Sequence, residues 1–276
     1  MTTVTTRALA AAVGAEIVGA DRDRLLTDDA FPAWCLDALE ANGVLVVHGL
    51  HLDDATQVAF SRRLGRVVEL GKGAEPAIFR VSLDPAKNPS AEYLRGTFDW
   101  HIDGATDDVP IMATLLSAHA IAESGGETEF ASTYAAYDAL TVDEQQRCRE
   151  LRVVHSFEAS QRLVNPDPSP DELARWQSRP PKEHPLVWHH RSGRRSLVLG
   201  ATASHVVGME PAAGAALLAD LLARTTAPGR VYRHEWAVGD LVIWDNRGVM
   251  HRAAPYDPSS PRDMHRTTLY GDEPIG

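Results

Sequence analysis

Only two cysteines, Cys35 and Cys148, occur in the 276 residues, and they lie far apart in the chain. A disulfide framework and a cysteine-based zinc site are therefore excluded, and a cytoplasmic, reducing setting is expected. No apolar run approaches the ~20 residues that a helical membrane span needs. Positive charge is also scarce: 27 Lys and Arg stand against 38 Asp and Glu, for a formal net charge of -11. Nucleic-acid binding needs a basic face and is not expected. A small anionic ligand remains open, because a few buried arginines can set a local field whatever the total charge. No Gly-x-Gly-x-x-Gly follows a strand, and there is no Walker-type loop, Gly-x-Ser-x-Gly elbow or internal repeat. No linker separates compositionally different halves, so residues 1–276 read as a single domain. The short Ala/Val stretch after Arg7 runs on into sequence that reads as folded, and no signal peptide is expected.

The remaining composition is that of a globular chain: 44% hydrophobic and 24% charged, with a mean hydropathy of -0.23. "DDAFPAWCLDALEANG" predicts a helix capped by Asp28 or Asp29 and ended at Gly43, and "VLVVH" (44–48) a buried strand. "DDATQVAFSRRLG" predicts a helix capped by Asp53 or Asp54. Thr141 and Glu144 form a capping box, and "AAGAALLADLLART" predicts a late amphipathic helix. Strands are predicted at 77–83, 111–118, 152–157, 185–190, 195–200, 230–236, 240–245 and 265–270, with a hairpin turn at 191–193. This pattern is mainly β with flanking helices, a sandwich or barrel. Two Pro- and Gly-rich segments, near 71–97 and 160–185, predict loops that could act as lids.

Two His-x-Asp pairs compete as metal sites. In "HGLHLDD", Asp53 sits where a helix cap belongs, so His51 and Asp53 are read as structural. In "FDWHIDG", His101 and Asp103 would point to one face of an extended segment and could reach a single ion. A third ligand must come from elsewhere. His251 follows an apolar strand and a polar turn, and Arg262 and Arg266 return 11 and 15 residues later. Two histidines and one carboxylate suit Fe(II) with open positions, and the arginines could bind carboxylates in bidentate fashion. His189 and His190 are neighbours, face opposite ways on a strand and are not read as joint ligands. Trp100 and Trp244 are read as core packing. His155 is read either as a pocket residue or as an ordinary strand residue.

"WHIDG", "GGETEFAS", "WDNRGVMHRAAP" and "RDMHRTTLYGDEP", in that order, resemble the TauD/TfdA family of Fe(II)- and 2-oxoglutarate-dependent dioxygenases. "LEANGVLVVHGL" and "FSRRLGRV" resemble that family's N-terminal region. The resemblance implies a double-stranded β-helix (jelly-roll, cupin-like) core. It implies His101, Asp103 and His251 as iron ligands and Arg262 and Thr128 as the pair that holds the far carboxylate of 2-oxoglutarate. Arg266 then lies near the anionic group of the substrate and Thr97 at a further substrate position, while His155 is a substrate-contact candidate from its place in "RVVHSF" alone.

The implied reaction converts 2-oxoglutarate and O2 to succinate and CO2 while hydroxylating an unactivated C–H bond. Its substrate would be a small anion: a sulfonate, sulfate ester, aryloxy acid or other carboxylic acid. Taurine fits poorly. Where taurine-cleaving enzymes carry a sulfonate-contacting histidine, "RRLGRVVELGKG" offers Glu69 and Lys72, and Thr97 stands where they place an asparagine. Asp103 occupies the position that halogenases leave open for halide. A homo-oligomer, dimer or tetramer, is expected from the family alone. Two readings from other classes stay open: a zinc-dependent hydrolase using the same His/Asp/His set, and a non-catalytic jelly-roll that binds a small acid.

Overall fold

The computed structural model describes residues 3–69 and 75–276. The strands in chain order are β1 (Thr5–Ala8), β2 (Ala15–Val18), β3 (Val44–Val47), β4 (Phe79–Val81), β5 (Ala113–Ala120), β6 (Thr128–Ser132), β7 (Arg152–His155) and β8 (Lys182–Pro185). Then follow β9 (Val187–His189), β10 (Arg195–Leu197), β11 (Ala203–Val206), β12 (Val231–His234), β13 (Leu241–Asp245), β14 (Val249–Ala253) and β15 (Asp263–Leu269). The helices are α1 (Arg22–Thr27), α2 (Phe31–Asn42), α3 (Asp54–Leu64), α4 (Thr133–Asp138), α5 (Val142–Arg149), α6 (Phe157–Val164), α7 (Pro170–Gln177) and α8 (Pro211–Thr225). A 3-10 helix covers Ala91–Phe98.

Seven strands form one sheet in the order β1-β2-β3-β13-β5-β15-β4, antiparallel at every pairing except β2 with β3. A second antiparallel sheet, β12-β6-β14, faces it. Side chains alternate between the faces of a strand, and that alternation builds the layers. Val44, Val46, Leu116, Val242, Trp244 and Met264 of the large sheet meet Phe130 and Val249 of the small one in a shared core. The intervening positions, Leu45, Val47, Leu115, Leu241, Ile243 and Leu269, pack instead under Phe31, Leu39, Phe60 and Leu64 of α2 and α3. Ala131 and Met250 turn to the outer side of the small sheet, beside Val153, Leu197, Val206 and Leu221. Two facing, unclosed antiparallel sheets with helices outside are the mainly β, jelly-roll architecture that the sequence predicts.

Most predicted elements appear within a few residues of their expected bounds. Asp53 caps α3 through Thr56 N, Thr141 and Glu144 form their capping box, and Gly193 turns the β9–β10 hairpin at φ 86°. Three expectations need correction. The N-cap of α2 is Ala30, without a side-chain cap, because Asp28 Oδ1 accepts from Ala30 N and the second helical residue is proline. "RVVHSF" is a strand only to His155; Ser156 then accepts from Ala159 N and starts α6. The 160–185 segment, expected to be a loop, contains most of α6 and all of α7, the latter opened by a Ser169–Glu172 capping box. Pro170 opens α7 at its first position, Pro166, Pro168, Pro180 and Pro181 lie between elements, and Pro185 ends the short strand β8. In the other expected loop, residues 71–74, including Lys72, lie outside the described residues, and the later part forms the 3-10 helix.

Leu115 and Phe130 are both fully buried, one on each face of this arrangement. Truncating either to alanine should destabilise the fold by about 2–5 kcal/mol in equilibrium denaturation. Only Phe130→Ala, whose ring lies 6.3 Å from that of His251, should also weaken metal binding.

Candidate active site

His101 follows the 3-10 helix on an extended segment, and His251 lies at the centre of β14. Their backbones form an isolated antiparallel bridge, with His101 N donating to His251 O at 3.0 Å and His251 N to His101 O at 2.9 Å. The imidazoles are thereby held with centroids 4.2 Å apart. Asp103 is two residues on. Its Oδ1 lies 3.7 Å from His101 Nε2 and its Oδ2 lies 3.8 Å from His251 Nε2. One donor atom from each of the three residues falls within 4.8 Å of the others. Donors sharing one ion through ~2.1 Å bonds stand ~3–3.5 Å apart, so a small contraction would close this set on a metal.

Protonation suits the same purpose. His101 Nδ1 lies 2.8 Å from the Asp99 carbonyl, which only an N–H can satisfy, so Nε2 carries the lone pair. Burial, aided by the nearby His101, pushes the His251 imidazole down to about 3 and keeps it neutral. Burial alone would raise the Asp103 carboxyl. The neighbouring His251, the Arg266 guanidinium, His101 and the Thr114 hydroxyl outweigh it and hold the pKa below the usual carboxylate range. Asp103 is therefore an anion, ready to bind a cation.

Behind the carboxylate runs a buried relay. Trp244 Nε1 donates to Asn246 Oδ1 at 2.9 Å, and Asn246 Nδ2 donates to Thr114 Oγ1 at 2.9 Å. Thr114 then donates to Asp103 Oδ2 at 3.4 Å. The Trp244 ring also lies 4.6 Å from that of His251, so this core tryptophan contributes to both ligands. Glycine allows the approach on the other side. Gly200, at φ 107°, sits so close that a Cβ would stand 2.6 Å from Trp100 O and 3.0 Å from His101 Cα. Asn246, Thr114 and Gly200 were not singled out from sequence. "WDN" was visible, but its cross-strand partner Thr114 was not.

Arg262 is 3% exposed and lies 4.7 Å from the Tyr256 ring centroid. Its Nη2 donates to Gly126 O at 3.1 Å, while Nη1 is buried without a hydrogen-bond partner. Gly126, at φ 78°, makes room, since a Cβ there would meet Arg262 Nε at 2.9 Å. Thr128 lies two residues along, 3% exposed, and its Oγ1 accepts from Trp236 Nε1 at 3.0 Å, so its own O–H can be donated elsewhere. An unpaired buried guanidinium N–H is costly unless an anion occupies the place. Arg262 with Thr128 fits a carboxylate. Arg266 places Nη1 3.6 Å from Asp103 Oδ2 and its guanidinium 4.8 Å from the Phe79 ring centroid, and its Nε is buried without a partner.

The other sequence-selected residues are engaged locally or exposed. Thr97 is half-buried, with its hydroxyl donated to Leu94 O at 2.6 Å. His155 is fully buried, its Nδ1 2.9 Å from Thr202 Oγ1 and its ring 5.8 Å from that of His184. Glu69 is exposed near Arg62, His189 is exposed, and His190 is turned inward to Ser196.

Two imidazoles and a carboxylate this close together, with a buried arginine nitrogen that lacks a partner, are a side-chain set that suits non-haem Fe(II). Comparison with known proteins agrees. The family described as taurine catabolism dioxygenase TauD, TfdA family, matches residues 5–268. An alpha-ketoglutarate-dependent 2,4-dichlorophenoxyacetate dioxygenase of Burkholderia sp. (strain RASC) is 38% identical over 249 residues, covering 84% of this chain and 83% of that protein. An (S)-phenoxypropionate/alpha-ketoglutarate-dioxygenase of Sphingobium herbicidovorans is 34% identical over 276 residues, covering 96% and 94%. The crystal structure of AAD-2 in complex with Mn(II) and N-oxalylglycine superposes with a TM-score of 0.86 at 33% identity, covering 100% of both chains. The chain belongs to the TauD/TfdA family. It is an alpha-ketoglutarate (2-oxoglutarate)-dependent dioxygenase, with Fe(II) and 2-oxoglutarate as cofactors, and the hydrolase and non-catalytic readings are set aside.

His155 supplies a pH test of the fold around this centre. Burial, with His184 nearby, pushes its imidazole down to about 3. The folded state therefore stays unprotonated while the unfolded chain binds a proton below ~6.5, so stability is present above that value and is lost as pH falls. Between pH 7 and pH 5 the wild type should lose about 2 kcal/mol more than His155→Gln, measured by urea denaturation at each pH.

Proposed function

We propose that His101, Asp103 and His251 hold Fe(II), that Arg262 and Thr128 hold the far carboxylate of 2-oxoglutarate, and that the enzyme hydroxylates a small aryloxyalkanoic acid. The observation that carries the substrate class is Arg266. Its Nη1 lies 3.6 Å from Asp103 Oδ2, its Nε is buried without a partner and its guanidinium lies over Phe79, which suits an acid group docked near Asp103 with an aromatic body behind it. Two relatives whose names specify phenoxy acids, at 38% and 34% identity, support the same class.

The bound metal and cosubstrate supply the oxidation of an unactivated C–H bond, with succinate and CO2 as coproducts. The protein positions and excludes. Asp103 and the two histidines would hold the ion, and the Thr114–Asn246–Trp244 relay fixes the carboxylate. Arg266 turns the acid so that the carbon between carboxylate and ether oxygen faces the iron. Hydroxylation there gives a hemiacetal that collapses to a phenol and a 2-oxo acid, the proton of the new hydroxyl leaving as the C–O bond breaks.

The lid reading extends to both segments named above. Tyr93 of the 3-10 helix packs edge-on against Phe157 of α6 at 5.6 Å, and Gly96 lies against Gln161. These two segments would close together over the centre, with Thr97 and His155 lining the route. We further place the chain as one domain and as a cytoplasmic homo-oligomer, dimer or tetramer. Two buried, unpaired cysteines fit the reducing compartment, and among the described residues no helix is long and apolar enough to cross a membrane.

The test compares an aryloxyacetic acid with its uncharged amide, following phenol release and succinate formation. Wild type should favour the acid by 10–100-fold in KM, the ~1.5–3 kcal/mol of a charged hydrogen bond. Arg266→Ala should lose that preference while its dependence on 2-oxoglutarate changes little. Equal KM values for acid and amide in the wild type would remove Arg266 from substrate recognition.

A further inference from the structure

On the opposite face of the large sheet from the iron centre lies a second cluster of metal-binding side chains. Alternation along β15 sends Met264 into the core between the sheets, and Arg266 lies beside Asp103. His265 points the other way, toward the first turn of α3, where its Nδ1 lies 2.5 Å from Asp54 Oδ1. His119 of β5 joins them. Ala118 pairs with Met264 and Ala120 with Asp263, which leaves His119 as the extra residue of a β-bulge. Bulges re-aim side chains. This one lays the His119 imidazole flat on that of His265, with centroids 3.7 Å apart and planes inclined by 17°.

A simple Asp–His ion pair accounts for only part of this arrangement. His265 is 9% exposed, and its Nε2 is buried without a hydrogen-bond partner, with Asp263 Oδ1 3.7 Å away. Asp263 is itself engaged by Arg80 and lies 3.7 Å from Lys87, so it is a poor fourth ligand. Burial, together with the stacked His265, lowers the pKa of His119. One donor atom each from Asp54, His119 and His265 falls within 4.8 Å of the others.

We propose that Asp54, His119 and His265 form a second metal site, selective for a divalent transition ion such as Zn2+, Co2+ or Ni2+, that clamps the start of α3 to β5 and β15. Two neutral imidazoles and one carboxylate are the donor set for such an ion. Asp54 keeps 37% of its side chain exposed, which leaves water access for the remaining position. The platform beneath is rigid. Gln57 Nε2 donates to His265 O at 3.0 Å, Ser117 Oγ donates to Gln57 Oε1 at 2.6 Å, and Ser61 Oγ lies 2.7 Å from Thr267 Oγ1.

The experiment is a Zn2+ titration of the full chain against a chromophoric chelator, with melting curves alongside. Wild type should bind two equivalents, while His101→Ala and His119→Ala should each bind one. Zn2+ should still raise the Tm of His101→Ala, and that rise should vanish in the His101→Ala/His119→Ala double variant. Asp54→Asn, at a part-exposed position, repeats the test without loss of core packing. Binding by His119→Ala and Asp54→Asn equal to wild type, or a single equivalent in wild type that His101→Ala abolishes, would overturn the second site. Loss in His119→Ala with none in His101→Ala would uphold it and count against the iron ligands instead.

Discussion

The two backbone hydrogen bonds between His101 and His251 are the constraint on which the active site depends. They join a connecting segment to the central residue of a strand and fix the spacing of two imidazoles before any ion is present. Such bonds are modest in net stability but exact in geometry, and here the Trp244 and Phe130 rings pack beside the His251 imidazole while Gly200 lies against the backbone of Trp100 and His101. Loosening this bridge would spread the ligand set whatever the identity of the three side chains.

Around it the jelly-roll solves an electrostatic problem. Asp103, Arg262 and Arg266 lie in or beside a core built from valine, leucine and aromatic side chains, where unpaired charge is expensive. Asp103 is compensated by Arg266, both histidines and the Thr114 hydroxyl. Arg262 and Arg266 each retain one buried nitrogen without a partner. Those unsatisfied donors are what the proposed anions of cosubstrate and substrate would satisfy.

Much of this was legible in the sequence, and the exceptions have physical reasons. Apolar strands such as Leu241–Asp245 and capped helices such as Asp54–Leu64 announce themselves through period and cap chemistry. The strands Thr128–Ser132 and Val249–Ala253, which carry site residues, do not, because polar side chains interrupt their alternation. Prolines made the 160–185 segment read as a loop, although two of its serines or neighbours cap helices there. His101, Asp103 and His251 could be proposed as a set, but their approach depends on a bridge between segments 150 residues apart. The supporting Thr114 and Gly200 are invisible without the fold: one acts across a sheet, the other by having no side chain.

The measurement that bears most directly on the account is an anaerobic titration of Fe(II) into apo-protein with 2-oxoglutarate, followed by visible absorption. The account predicts a metal-to-ligand charge-transfer band that disappears in His101→Ala and that needs far more 2-oxoglutarate in Arg262→Ala. A folded wild-type protein that gives no band, or an Arg262→Ala variant that saturates at the same 2-oxoglutarate concentration, would contradict it.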